Sequence, residues 1–264
     1  MKFYVRGGVG DFLQSSWFIT GNPNQEFIIH THFHGAEEFF KSFNLTNAHF
    51  YYFNNIEEHD SQIDKILENH GENSTTNIRE CPRAFYSQIN FPKENQEKAL
   101  AFSERFKNKK PIIGIHPFGS FFCSDTHSKF DLPPKYLPAE IVSKIISDDF
   151  NYIIFGSQSE LEAYPIKESD NVLHTDTDII SSLELVKLCS KIIGTDSCFK
   201  GMAIMSKIPT FCILGDFQDP MRDKMFINQY EQDKILKVFR YKNISESSSD
   251  IVFSIKEFLI HNEN

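Results

Sequence analysis

The 264-residue sequence lacks several features that would narrow its class at once. It has no apolar run of membrane-spanning length and no signal-peptide pattern, which points to a cytoplasmic protein. It has no Cys-x-x-Cys spacing. Five cysteines (Cys81, Cys123, Cys189, Cys198 and Cys212) are an odd number, and Cys189 and Cys212 fall in apolar segments. Reduced, mostly buried thiols account for them more simply than a disulfide framework or a zinc site. Basic excess is also missing. Lys and Arg total 27 against 36 Asp and Glu, a net charge of −9, which argues against a nucleic-acid surface built on clustered cations. Neither a Gly-x-Gly-x-x-Gly fingerprint nor a Gly-Lys-Ser/Thr phosphate loop occurs. There is no internal repeat and no low-complexity run.

What is present is ample material for a core. Hydrophobic residues make up 40%, and Phe alone occurs 27 times. The length suits one large α/β domain or two small ones. Short apolar runs alternate with helix-length segments, the pattern of βαβ units and a parallel sheet. The most informative stretch is Ile192–Gly215. Lys191–Ile193 and Thr210–Leu214 read as strands, with a turn and a helix between them. Gly194-Thr195-Asp196-Ser197 sits where the first strand meets the helix, where free N–H groups and the helix dipole favour an anion. Asp and Ser there can also simply cap the helix. An acid in such a turn can bond the hydroxyls of a ligand whose phosphates the N–H groups hold, and a sugar nucleotide offers both.

The chain opens in the same way. Lys2–Arg6 reads as a strand, Gly7-Gly8-Val9-Gly10-Asp11 as a glycine-rich turn, and a helix follows; Asp11 is either a first-turn acid or a functional one. Glu26–His30 is a second strand running into His30, His32 and His34. Alternate spacing puts three imidazoles on one face of an extended segment, which suits a metal. Without a carboxylate or Cys pattern nearby, the better reading is that they line a ligand crevice at the strand end, and no metal site is assigned. Gly35–Phe43, Ile56–Leu67, Lys93–Lys110, Tyr136–Ile146, Glu160–Tyr164, Ser181–Cys189 and Ser248–His261 read as helices. Ala48–Phe53, Pro111–His116, Tyr152–Phe155, Val172–His174 and Ile235–Phe239 read as strands. Asn69–Thr76 is a polar loop. Asp176-Thr177-Asp178 forms an Asp-x-Asp, but it precedes a helix and reads as an N-cap. A domain boundary is expected near residue 108, where the chain is polar and Pro111 stops the helix. The expected architecture is therefore α/β: two Rossmann-like domains, 1–108 and 109–264, facing across a cleft, the first reduced in size. The cleft would be lined by Gly8–Asp11, Pro117–Ser120 and Gly194–Lys200.

Five segments, in order, resemble the ADP-heptose:lipopolysaccharide heptosyltransferases of glycosyltransferase family 9, which have the GT-B architecture. Gly8-Val9-Gly10-Asp11-Phe12-Leu13 resembles that family's Gly-x-Gly-Asp opening. Ile113–Ser120 is similar to its Ile-x-Ile-His-Pro-Gly turn, and Ser128-Lys129-Phe130 to its Lys-x-Trp-Pro segment. Tyr152–Gly156 resembles a Val-x-Leu-x-Gly strand. Gly194-Thr195-Asp196-Ser197, with Ala203, Ile208-Pro209-Thr210 and Leu214-Gly215, resembles the family's C-terminal signature. The sequence departs from that signature at Cys198, Phe199 and Gly201, where the family has Gly, Pro and His. Lys200, one position before Gly201, could reach a phosphate by another geometry.

The resemblance implies an inverting, metal-independent transfer of heptose or a related sugar, with no cofactor. The donor would be a nucleoside diphosphate sugar and the acceptor a glycan or other hydroxyl; a lipid-linked acceptor would bring peripheral membrane association. It implies Asp11 as the base for the acceptor hydroxyl. Lys129 would contact the diphosphate, with N–H groups near Ser120 and of Thr195–Cys198, and Asp196 would bond the donor sugar. Gly10, His116, Gly119, Gly156, Ser197 and Lys200 complete the donor set. Two other readings remain open: a catalytically inactive sugar-nucleotide-binding protein, suggested by the altered 198–201 segment, and a glycosyltransferase acting on modified DNA. Only a local groove of Arg79, Arg83 and the lysines at 107–110 would favour the last.

Overall fold

The computed structural model describes residues 2–33, 35–41, 45, 47–54, 56–71, 75–77, 89, 91–119, 136–215 and 233–260. The described residues up to 89 cluster as one compact unit and those from 91 onward as a second. Each is built on its own parallel sheet.

In the first unit, β1 (Lys2–Gly7), β2 (Glu26–Thr31), β3 (Asn47–Tyr52) and β4 (Thr75–Asn77) pair in the order β3-β2-β1-β4. Alternation along each strand sends the two faces to different helices. Tyr4 and Ile28 pack with Ile66 of α3 (Ile56–His70), joined by Ile63 and Leu67. On the other side the abundant Phe residues form a network of rings. Phe3 meets Phe18 of α1 (Val9–Gly21) edge to face, with centroids 4.6 Å apart, and lies 5.6 Å from Phe27. Phe12 of α1 contacts Phe39 and Phe40 of α2 (Ala36–Lys41). The expected loop at 69–76 is shorter than read, because α3 continues to His70 and β4 begins at Thr75.

The second unit has six strands in the order β10-β9-β8-β5-β6-β7. They are β5 (Ile112–His116), β6 (Asn151–Ile154), β7 (Val172–His174), β8 (Lys191–Gly194), β9 (Thr210–Gly215) and β10 (Leu236–Tyr241). All of β6, β8 and β9 is buried, as expected for strands covered on both faces. Helices α5 (Ala139–Ile145) and α9 (Ser248–Ile260) pack together, and Ile141, Val142, Ile251 and Ile255 join Ile113, Ile115, Tyr152 and Ile213 in one core. Helices α4 (Lys93–Ser103), α7 (Ile179–Val186) and α8 (Cys198–Met205) pack through α4–α7 and α7–α8 contacts. A short α6 (Gln158–Ala163) begins on Ser157, whose hydroxyl accepts from the Glu160 N–H.

Two helix ends differ from the sequence reading. Helix α4 stops at Ser103, not Lys110, so Pro111 is not its terminator. Helix α7 starts on Asp178, whose carboxylate accepts the Ser181 N–H at 2.9 Å, so Ser181 and Ser182 lie inside the helix. The cap role expected within Asp176–Asp178 is thus taken by Asp178. No helix among the described residues is long and apolar enough to cross a membrane.

Lys191 is an unusual core residue, 8% exposed on β8. Its ammonium donates to the carbonyls of Phe258 (2.6 Å) and Leu259 (3.0 Å), which end α9, and lies over the Phe258 ring. A cation there satisfies orphan carbonyls and the negative end of the helix dipole. Lys191→Met keeps the stem and removes the donors, so it should lower the unfolding free energy by about 1.5–3 kcal/mol in a urea titration. A change within a few tenths would mean that water replaces the ammonium at no cost.

Candidate active site

In each sheet the strand order reverses at one place. In the first, β2 and β3 add on one side of β1 and β4 on the other; in the second, β6 and β7 add on one side of β5 and β8–β10 on the other. Connections leave such a point on opposite faces, which opens a crevice beyond the carboxyl ends of the two strands. Gly7–Asp11 follows β1, His116–Gly119 follows β5 and Gly194–Ser197 follows β8, so all three turns lie at the carboxyl edges of their sheets.

At the first edge, Gly7 has φ 125, a conformation that favours glycine, and Thr31 Oγ1 donates to its carbonyl at 2.7 Å. Asp11 lies in the first turn of α1, where its Oδ2 accepts the Gly8 N–H at 3.1 Å. That contact is the first-turn role the sequence allowed, and it also fixes the carboxylate beside the strand end. Gly10 lies beside it in the same turn. The imidazole of His32 lies over Gly8, 3.1 Å from where a Cβ would stand, and His32 is exposed. His30 goes elsewhere. It is buried on the α3 side, with Nδ1 2.7 Å from the Tyr4 hydroxyl, Nε2 3.2 Å from Gln62 Oε1, and its ring stacked on His59. His30 and His32 nevertheless both pack on the Phe53 ring, with centroids 4.8 and 5.6 Å away, so these two share a face as their spacing suggested, His30 buried and His32 exposed; His34 lies outside the described residues.

At the second edge, β5 and β8 crowd together. A Cβ on Gly194 would come within 2.6 Å of the His116 carbonyl oxygen, so no other residue fits without moving a backbone. The Thr195 N–H donates to that same carbonyl at 3.3 Å. Three buried polar atoms here have no hydrogen-bond partner among the described residues: His116 Nδ1, Thr195 Oγ1 and Ser197 Oγ. Ser197 is the N-cap of α8, yet its side chain makes no cap bond. The N–H groups of the first turn of α8 point to the same edge, a ready anion site. Lys200, in that turn, pairs with Asp196.

Phe199, which the sequence marked only as a departure, has a clear structural role. Its buried ring lies 4.4 Å from that of His116 and 4.7 Å from that of Phe155, fastening the start of α8 to the ends of β5 and β6. Gly156, expected to touch the donor, lies under Phe118: a Cβ there would be 2.7 Å from the Phe118 ring. Gly119 is buried beyond Phe118; Ser120 and Lys129 lie outside the described residues, as do Arg79 and Arg83. Sequence reasoning missed His174, at the end of β7 on the same edge, whose buried Nε2 also has no partner among the described residues. Its one signal was a histidine closing an apolar strand.

No protein-family model matches this chain, and no curated protein does at a significant level. Solved structures do match. ADP-heptose LPS heptosyltransferase II of E. coli superposes with a TM-score of 0.62 at 13% identity, covering 100% of both chains. The chain has a family 9 heptosyltransferase-like fold. A family 9 glycosyltransferase from Veillonella parvula DSM 2008 gives 0.58 at 12% identity over 99% of this chain and 90% of its own. The glycosyltransferase VinC in complex with dTDP gives 0.53 at 9% identity over 98% and 91%.

Burial holds His116 neutral, with a pKa pushed down to about 3, and burial with the neighbouring His59 lowers that of His30 to about 4. Both are below the unfolded value of 6.5, so the stability they hold is present above pH 6.5 and is lost as pH falls toward about 4 and about 3. Removing one such group removes one bound proton from the slope. Below pH 6.5, His116→Asn should flatten the dependence of unfolding free energy on pH by about 1.4 kcal/mol per unit. Parallel curves for the two proteins would show that His116 ionises freely in the fold.

Proposed function

We propose that this protein is a glycosyltransferase that takes a sugar from a nucleoside diphosphate donor and passes it to a hydroxyl acceptor. The observation that carries the reading is the set of buried atoms of His116, Thr195 and Ser197 that have no partner among the described residues, at the switch point of the second sheet beside the first turn of α8. Buried polar atoms without partners are costly, and a ligand with several hydroxyls and phosphate oxygens would satisfy them. The fold, shared with known glycosyltransferases, supports the choice of ligand.

In this reading the N–H groups of the first turn of α8 take the diphosphate, and Lys200 and Lys129 add positive charge as the bond to the sugar breaks. Asp196 bonds sugar hydroxyls and keeps Lys200 oriented until the donor arrives. Asp11 takes the proton of the acceptor hydroxyl as it attacks the anomeric carbon, and displacement from the opposite side inverts that centre. Charged side chains and the helix dipole do the work a divalent ion does in other transferases, so no metal is needed. Heptose or a related sugar, and a glycan acceptor, follow from the resemblance. One observation favours a second reading, a nucleotide-binding protein without transfer: the altered segment Cys198-Phe199-Lys200-Gly201 at the start of α8.

Two substitutions test these readings, the first their shared nucleotide site and the second the transfer step. Thr195→Val conserves shape and removes a hydroxyl with no partner among the described residues, so it should leave the melting temperature unchanged or raised and weaken binding of nucleoside diphosphates. Undiminished binding would place the nucleotide elsewhere. Asp11→Asn should keep both the fold and nucleotide binding and slow turnover by about 10²–10⁴-fold, read first as release of nucleoside diphosphate from ADP-, UDP-, GDP- or dTDP-sugars. No release by the wild type with any donor or acceptor would favour the non-transferring reading.

A further inference from the structure

The α3 side of the first sheet carries a second polar group, at the end of the strands away from Asp11. Glu26 opens β2, His49 is the third residue of β3 and His70 closes α3. Pairing of β2 with β3 sets Ile28 beside His49, and alternation puts Glu26 and Ile28 on one face of β2. Three residues far apart in sequence thereby meet at one edge. Glu26 Oε1 lies 3.1 Å from His70 Nδ1 and 3.6 Å from His49 Nε2, and all three ligand atoms fall within 4.8 Å of one another.

We propose that Glu26, His49 and His70 form a binding site for a zinc-class divalent cation. Ligand bonds of about 2.0–2.1 Å set tetrahedral ligand–ligand edges of about 3.3 Å, between the separations of 3.1 and 3.6 Å from Glu26 Oε1 to the two imidazoles. Two imidazoles and a carboxylate suit zinc and its late first-row neighbours rather than magnesium or calcium, which take oxygen. His70 is also oriented for the role. Its Nε2 is 2.8 Å from the Tyr51 hydroxyl, a contact that, with Nε2–H as donor, leaves Nδ1 as the metal-facing nitrogen. The Lys2 ammonium, 3.4 Å from Glu26 Oε1, is a competing cation; its side chain is 31% exposed and moves to water when the metal enters. The three protein ligands leave a fourth position to water. The bound ion clamps β2, β3 and the end of α3, a structural role independent of sugar transfer.

The test is titration of chelator-treated protein with zinc by calorimetry, together with thermal melts and the visible spectrum of the cobalt-substituted form. The wild type should bind about one zinc per chain, melt higher with zinc but not with magnesium, return to its starting point with chelator, and give the intense bands of tetrahedral cobalt. His49→Ala, at a half-exposed side chain, and His70→Gln should each lose all of these responses. His32→Gln, at the other end of the sheet, should keep them. Absence of zinc binding by the wild type, full zinc binding by His49→Ala, or its loss on His32→Gln would overturn the assignment.

Discussion

The close approach of β5 and β8 at Gly194 is the constraint on which the second unit depends. The two strands are neighbours in space, but β6 and β7 come between them in sequence. Their ends converge so tightly that the His116 carbonyl occupies the space of a Gly194 side chain. At the ends of these two strands His116 Nδ1, Thr195 Oγ1 and Ser197 Oγ are buried without a partner among the described residues. The first turn of α8 lies at the same place, held by Phe199 against His116 and Phe155. A candidate site placed this way is held by short turns anchored directly at the strand ends. Preorganised donors of that kind stabilise developing charge without having to reorganise.

Much of this was legible in the sequence, for identifiable reasons. The strands buried on both faces are continuous apolar runs, so Ile112–His116 and Thr210–Gly215 could be read almost to the residue. Glycines at strand ends marked all three carboxyl-edge turns. Helix ends were less legible, since several cap residues competed: Asp178 and Ser181 are both good caps, and only the fold shows which one accepts the bond. The polar tail of α4 reads as helix by composition, but only packing against α7 sustains a helix there, and the α-helix ends at Ser103. The strand Thr75–Asn77 is three polar residues long and carries no apolar signal at all.

The side chains of the candidate sites were the least legible. His30 and His32 read as one set by spacing and both meet the Phe53 ring, but spacing did not show that His30 is buried on Tyr4 and Gln62 while His32 lies exposed over Gly8. Conversely, Glu26, His49 and His70 are scattered along the chain and share a site only because β2 and β3 pair in register and α3 returns over them. The departures at Cys198–Gly201 looked like damage to a motif. Phe199 is instead a packing element, and Lys200 places a cation in the first turn of α8.

The most direct measurement is a titration of the isotope-labelled protein with nucleoside diphosphates, following the His116 imidazole and the backbone amides by NMR. The account predicts saturable shifts of the His116 ring nitrogens and of the Thr195, Ser197 and Lys200 amides, larger with diphosphates than with the matching monophosphates, and no change at Glu26, His49 or His70. Shifts centred away from the ends of β5 and β8, or no saturable response to any nucleoside diphosphate, would contradict it.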